Sequence, residues 1–427
     1  MTDFKKILDS FKFASTKVAY YKNILADRNI DPNSVVDIES FTEIVPVLEK
    51  RDIFPKFNAD SLFTADQFND FVSAIVSSGT SGVFSYGLVT KSSAATQSQM
   101  LDQMISQFFS TSPDKKTVVI NALPMGVSFT SSHPVVPVST RTDIALHVIK
   151  TLGKTRQIII ITEPRLLRQL VEEGEVEGIV WGEYSVSAVI GGMWFPESLT
   201  EYLVNKLNSG KNNQSELPSN QVLTTMGITE VGLNLFTGTP DLVNLRSVLQ
   251  KDLALSKSLF STEIATPVLG YALTDNLYHE IINQDEYGVG ELVVTHLDTS
   301  SAPLLIRYNT HDKVKLLTEE ELLKINFTPI VAAPIFAIYE RNHGETDSKL
   351  QLDDIQQIYY QTPELVESGT DNFRLDYTDG VITVFYQLKP QYNTHDDVEK
   401  NGILFKAVSY YDYKSNMGLQ YDYKWKH

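Results

Sequence analysis

Residues 71–82 read FVSAIVSSGTSG, an apolar run of strand-forming character followed at once by Ser77, Ser78, Gly79, Thr80, Ser81 and Gly82. The two glycines permit tight turns and close backbone approach, while four hydroxyls and several N–H groups converge on one point, which is how a polyphosphate is cradled. The Walker pattern G-x-x-x-x-G-K-[ST] is not met, because Val83 stands where lysine is required, and no G-x-G-x-x-G is present. Alone, such a loop is equally well a polar surface turn that binds nothing.

Working outward, Phe4, Ile7, Leu8 and Phe11 recur at i, i+3, i+4, i+7 and predict an amphipathic helix. With Tyr20-Tyr21 and the Asp31-Pro32 turn signal, they give a helical lead-in over residues 1–70. From Phe71 onward, short β-branched runs alternate with helix-length segments: TVVINALPM at 117–125, RQIIIIT at 156–162, LLRQLVEE after Pro164, SAVIGG at 187–192, and ESLTEYLVNKL after Pro196. Runs apolar on both faces between helices predict an α/β body whose sheets are covered by helices. SGKNNQSELPSNQ at 209–221 reads as a polar loop, after which QVLTTMG, GELVVTHL and LLIRYNTHDKVKLL read as further strands. Past Tyr339 the composition shifts. LDDIQQIYYQ reads as helix and FRLDYTDGVITVFYQL alternates with period two around Asp379-Gly380, a hairpin signal. The boundary falls at residues 340/341, and the last stretch, 341–427, is a small α+β domain of ordinary size. No internal repeat is seen.

Of the 427 residues, 42% are hydrophobic and 21% charged, with 36 Lys+Arg against 53 Asp+Glu and a net charge of −17. A chain this acidic lacks the footprint of a nucleic-acid or anionic-membrane binder, so neither partner is expected. There is no cysteine, which excludes disulfides, thiolate metal sites and a cysteine nucleophile. The N-terminus has no apolar h-region and no run approaches a bilayer span, so a cytoplasmic protein is expected. The eight histidines show no zinc-binding spacing.

Two further segments carry chemistry. Thr225-Met-Gly-Ile-Thr229-Glu230 sets a hydroxyl beside a carboxylate just past a glycine; a carboxylate beside phosphates is favourable only with a divalent cation between them. Pro303-Leu-Leu-Ile-Arg-Tyr-Asn-Thr-His-Asp312 reads as an apolar strand ending in an aspartate, which can accept both hydroxyls of a ribose. Each has a bland counterpart, Glu230 as a helix-start charge and Asp312 as a turn residue.

In this order and spacing, SSGTSG, MGITE and PLLIRYNTHD resemble the core motifs of adenylate-forming enzymes (acyl-CoA synthetases, luciferases and adenylation domains). Within them the chain is similar to the phenylacetate–CoA ligase branch and the related acyl-protein synthetases of bioluminescence. Its opening, ASTKVAYYKNILADRNIDPNSVVDIESFTEIVPVLEKRDI, with an aromatic pair and then a proline followed by a lysine, supports that branch. The resemblance covers residues 10 to 345. It implies a large adenylation domain, a small mobile C-terminal domain, and ATP- and Mg2+-dependent activation of a small carboxylic acid as acyl-AMP. The acyl group then passes to coenzyme A or another external thiol or amine. It implies that Ser77, Ser78, Gly79, Thr80, Ser81 and Gly82 wrap the phosphates, and that Gly191 and Gly192 lie against the adenine. Thr229 contacts the α-phosphate, Glu230 holds magnesium, Asp312 binds the ribose, and Arg341 sits at the domain junction. The C-terminal lysine that steers the carboxylate falls on Lys424, with Lys414 as the lesser choice.

Three departures matter. The family's Tyr-Arg-Thr-Gly-Asp is here Tyr308-Asn309-Thr310-His311-Asp312. The Pro-Lys that often follows the loop is here Val83-Phe84-Ser85, and the C-terminal lysine is not obvious. These motivate an alternative in which the chain is a catalytically degenerate nucleotide-binding protein, or an acyl-activating subunit of a multi-protein complex served by a carrier protein or acyl-transfer partner. His133 reads as a structural residue ahead of a pocket residue, and Trp194 either floors a pocket or simply packs. The sequence does not decide between one copy and a homodimer.

Overall fold

The β-branched runs line up edge to edge. The computed structural model describes residues 4–77, 82–109, 116–211, 219–260, 264–339, 352–378 and 381–415. The first strands, β1 (Phe71–Val76) and β2 (Tyr86–Thr90), form a two-stranded antiparallel sheet of their own. An 11-stranded sheet holds β3 (Thr117–Ala122), β4 (Val135–Pro137), β5 (Gln157–Thr162), β6 (Ser185–Ile190) and β7 (Val222–Ile228), which run parallel. It continues antiparallel through β8 (Gly232–Gly238), β9 (Val268–Tyr271), β10 (Leu277–Ile282), β11 (Gly290–His296), β12 (Tyr308–Leu316) and β13 (Ile335–Ile338). The spatial order is β10-β11-β12-β13-β9-β8-β7-β6-β5-β3-β4.

The isoleucine run shows why the parallel half forms. Ile158 and Ile160 pack with Leu146, Ile149, Leu167 and Val171, carried by the helices Thr142–Leu152 and Pro164–Val176. Ile159 and Ile161 face the other way, onto Met104, Ile105 and Phe108 of the helix Lys91–Phe108. With both faces covered, the four central positions of β5, Ile158 to Ile161, are all apolar, and each buried isoleucine contributes about 1.5–3 kcal/mol. Because β3, β5, β6 and β7 are parallel, Leu123, Glu163, Gly191 and Thr229 all follow carboxyl ends at one edge, where open α/β sheets bind ligands.

Two sequence expectations are corrected. FVSAIV is a strand, but Phe71, Val72 and Val76 are exposed, because among the described residues β1 pairs with β2 in a two-stranded sheet of its own, apart from the large one. PLLIRYNTHD is not one strand ending in aspartate. Leu304, Leu305 and Ile306 are fully buried outside any strand, Arg307 takes φ +47°, and β12 begins only at Tyr308, leaving Asp312 in its interior.

The helical lead-in docks on β12. Phe11, Tyr21 and Phe41 pack edge to face, and the Tyr20 hydroxyl donates to the Leu304 carbonyl at 2.7 Å. Buried Arg307 donates to the Thr42 and Val45 carbonyls at 2.6 Å each and grips Glu280 with two nitrogens at 3.0 and 3.2 Å. Leu48 then bridges to Tyr308: its N–H donates to the Arg307 carbonyl at 2.9 Å and its carbonyl accepts from Asn309 N–H at 2.8 Å.

At the other end, helices Leu352–Tyr360 and Pro363–Ser368 precede a second sheet of β14 (Gly369–Thr378), β15 (Val381–Leu388), β16 (Val398–Lys400) and β17 (Ile403–Val408), in the order β14-β15-β17-β16. Thr378 pairs with Val381, as a hairpin requires; Asp379 and Gly380 themselves lie outside the described residues, as does the expected boundary at 340/341. This region sits on the helix Pro164–Val176 through buried ions. The Arg168 guanidinium donates to Tyr360 Oη at 3.0 Å, to the Val366 and Gly369 carbonyls at 2.9 and 2.8 Å, and to Glu172 at 2.9 Å. Lys389 reaches Glu172 at 3.2 Å, and Arg165 pairs with Asp371 at 3.0 Å.

Burial pushes the Glu172 carboxyl up, but the neighbouring Arg168 and Lys389 outweigh it and hold the group below the usual glutamate range. A depressed carboxyl contributes stability that is complete above the unfolded value of about 4.3 and is lost as pH falls through the folded one. Arg168→Met is therefore expected to cost about 3–5 kcal/mol in urea unfolding, since it leaves the Val366 and Gly369 carbonyls without their buried donor and Glu172 with Lys389 as its remaining cation. Glu172→Gln should show a shallower loss of stability below pH 4.5 than the parent chain in the same titration.

Candidate functional site

The loop that opened the sequence reading is closed at its base by Ser77 and Ser85. Ser77 N–H donates to the Ser85 carbonyl at 2.9 Å, and Ser85 N–H donates to Ser77 Oγ at 2.9 Å. Between them Gly82 takes φ +78°, a left-handed conformation that favours glycine. Ser78, Gly79, Thr80 and Ser81 lie outside the described residues, as do Arg341 and Lys424.

Thr229 and Glu230 form the turn of the hairpin that joins β7 and β8, closed by Val231 N–H donating to the Ile228 carbonyl at 2.9 Å. Glu230 is therefore a turn residue and not a helix-start charge. The turn lies directly against β2: a Cβ on Gly87 would stand 3.0 Å from the Thr229 carbonyl oxygen. Only 6% of Glu230 is exposed, and both carboxylate oxygens are engaged. Ser85 Oγ donates to one at 2.8 Å and the Tyr308 hydroxyl donates to the other. Lys50 completes the group. Its ammonium donates to Ser77 Oγ at 3.1 Å and lies 4.0 Å from Glu230.

Asp312 follows Tyr308 by four residues along β12. Val293 pairs with Asn309 and Glu291 with Lys313, so β12 takes four steps where β11 takes two, and Thr310, His311 and Asp312 bow out as a bulge. The bulge is held by Asn309 Oδ1, which accepts from His311 N–H at 2.8 Å, and by Thr310 Oγ1, which accepts from Asp312 N–H at 3.2 Å. His311 takes φ +59° where the family pattern has glycine, a conformation that histidine tolerates better than most residues. Its ring lies 3.6 Å from Glu49, next to Lys50.

Gly191 and Gly192 follow β6. A Cβ on Gly191 would stand 2.2 Å from the Thr225 carbonyl oxygen, so the strand packing alone demands glycine there, and Gly192 takes φ +88°. Glu163 sits beside Gly192 at the end of β5, and burial pushes its carboxyl up against the smaller opposing effect of Arg165. Trp194 packs on the Arg246 guanidinium at 5.9 Å, which itself donates to the Phe195 carbonyl at 2.7 Å. Asp102 accepts from Ser131 and from Ser132 N–H at 2.9 Å, ordering the turn before His133.

The structure thus brings Ser77, Glu230 and Tyr308 together and sets Asp312 on the next bulge of the same strand. Sequence reasoning missed Lys50, Ser85 and Tyr308 as members of the site. Only the proline-then-lysine pattern before Arg51 pointed to the first. A magnesium ion arriving with a nucleotide needs one or two carboxylates besides phosphate oxygens and water. Glu230 suits that role, since each carboxylate oxygen keeps a lone pair beyond the hydrogen bond it accepts. No group of three metal-ligating side chains exists among the described residues, so a metal caged by protein alone does not fit them. No helix among them is long and apolar enough to cross a membrane.

Comparison of the folded chain with solved structures finds 2-hydroxyisobutyryl-CoA ligase in the postadenylation state, in complex with 2-HIB-AMP. The TM-score is 0.64 at 12% identity, over 90% of this chain and 77% of that one. The chain has the fold of that CoA ligase. The same ligase in its thioesterification state, in complex with 2-HIB-AMP and CoA, matches with a TM-score of 0.59 at 11% identity, over 94% of this chain and 88% of that one. No family profile matches the sequence, and no curated protein is similar to it.

Gly191→Ala tests the packing at the carboxyl edge. The added methyl has nowhere to go but into backbone, so a loss of at least about 2 kcal/mol is expected in chemical denaturation.

Proposed function

We propose that the chain uses ATP to activate a small carboxylic acid as acyl-AMP and passes the acyl group to coenzyme A or another external thiol or amine. The reading rests on the meeting of the Ser77–Ser85 loop base, the Thr229–Glu230 turn and β12 at one carboxyl edge of the sheet, in a fold shared with CoA ligases. The phenylacetate–CoA ligase branch is the part of the superfamily that its motifs favour.

The substrate carboxylate attacks the α-phosphorus in line and pyrophosphate leaves. Two anions meet, so charge neutralisation and positioning carry the catalysis rather than proton transfer. Magnesium, when bound, supplies charge neutralisation at the phosphates, and Glu230 is the residue that would hold it. Ser85 and Tyr308 keep that carboxylate aimed, Thr229 meets the α-phosphate, and Asp312 accepts the ribose hydroxyls. Gly191 and Gly192 leave a flat floor for the base. Since the chain has no cysteine, an acceptor thiol comes from outside, on coenzyme A or a carrier protein. The acyl adenylate is a mixed anhydride that water would destroy, which gives the small C-terminal region a role in excluding solvent.

Acid-dependent pyrophosphate release from ATP and magnesium across a panel of aryl and short aliphatic acids is the direct test. Silence across the panel together with ATP binding would mark a degenerate nucleotide-binding protein instead. Activity that appears only with an added partner would mark a subunit of a larger acyl-transfer complex. In the active case, Asp312→Asn is expected to raise KM for ATP about tenfold with kcat nearly unchanged. Glu230→Gln should lower kcat about a hundredfold.

A further inference from the structure

We propose that Lys50, carried by the N-terminal lead-in, is the cation of the site that faces the β- and γ-phosphates, in place of the lysine absent after the loop. The proposal rests on the nucleotide reading above and assigns a role to a residue outside its motifs. From Gly82 to Thr90 the chain has no lysine or arginine, so the hydroxyl-rich loop and the strand after it bring no positive charge of their own. Lys50 arrives from elsewhere: its ammonium donates to Ser77 Oγ at 3.1 Å, at the first residue of the loop, and stands further from Glu230, at 4.0 Å. It therefore leans toward the loop rather than pairing tightly with the carboxylate.

Accessibility points the same way. The Lys50 side chain is 22% exposed and that of Glu230 is 4% exposed, so the lysine is the more open of the two to an arriving anion. Its position is fixed two residues upstream, where Leu48 bridges to Tyr308, the residue whose hydroxyl grips Glu230. One anchored stretch of lead-in thus sets lysine, tyrosine and glutamate relative to one another. An ammonium so placed offsets Glu230 and meets phosphate charge when a polyphosphate enters, as a charge-assisted donor.

Calorimetric titration of the whole chain and its Lys50→Met variant with ATP, AMP and inorganic pyrophosphate tests this. The variant is expected to lose at least about tenfold in affinity for ATP and pyrophosphate, and to bind AMP within twofold of the parent. Lys50→Arg should recover most of the ATP affinity. Unchanged ATP binding by Lys50→Met overturns the proposal, as does an equal loss for ATP and AMP, which would mean that Lys50 only steadies Glu230. If the parent chain binds no ATP, the nucleotide reading itself has failed and takes this role with it. If Lys50→Met does not fold, acetylation of Lys50 in the parent chain decides: protection by pyrophosphate but not by AMP supports the role, and equal reactivity with both refutes it.

Discussion

A buried carboxylate has to be hydrogen-bonded, and Glu230 meets that demand with donors from opposite ends of the large sheet region. Ser85 lies 145 residues before it and Tyr308 lies 78 residues after it. Leaving such a group unpaired would cost several kcal/mol, so the loop base, the β7–β8 turn and the start of β12 cannot drift apart independently. The arrangement of these three segments follows from that one obligation. The base of the loop is held where the turn is, the turn is held against β2 at Gly87, and the start of β12 is held to the turn by Tyr308.

The lead-in extends the same logic outward. Arg307 is buried, so its guanidinium must find acceptors, and it finds two carbonyls of the lead-in and both oxygens of Glu280. A helical segment with no catalytic motif of its own is thereby stapled to the strand that bears the site. Through Leu48 the staple becomes one further rung beside β12, which places residue 50 at the mouth of the loop. Buried ions of this kind add little net stability but fix register, and register is what a site assembled from three distant segments requires.

The sequence made part of this legible. An apolar run such as QIIIIT can only be a strand with both faces covered, and the helices on either side of β5 cover it. Glycine-rich and hydroxyl-rich segments announced themselves because only those residues tolerate the turns involved. Three things were hidden, each for a physical reason. Leu304 to Ile306 read as strand because total burial looks the same whatever the backbone does, and the left-handed turn at Arg307 has no glycine to betray it. The bulge at Asp312 depends on the pairing with β11, a property of two segments and not of one. The Glu230 contacts link residues far apart in the chain, and such pairs leave no periodicity behind.

The seat of the C-terminal region bears on how a ligase cycle would run in this chain. A lid that opens freely has a small, wet interface, whereas here the buried Arg168 donates to the Val366 and Gly369 carbonyls and the Tyr360 hydroxyl across it. Undocking would rehydrate Arg168 and Glu172 together, and it would also strip Lys389 of its carboxylate and Arg165 of Asp371. The docked arrangement is favoured only by what these paired ions gain over their separated and solvated forms, a difference well below the gross ion-pair energy. A ligand that shifts such an equilibrium must bind the alternative state better by at least that difference. Any displacement of this region from the helix Pro164–Val176 must therefore break the Arg168 cluster, and the cost of doing so falls on whatever binding drives it.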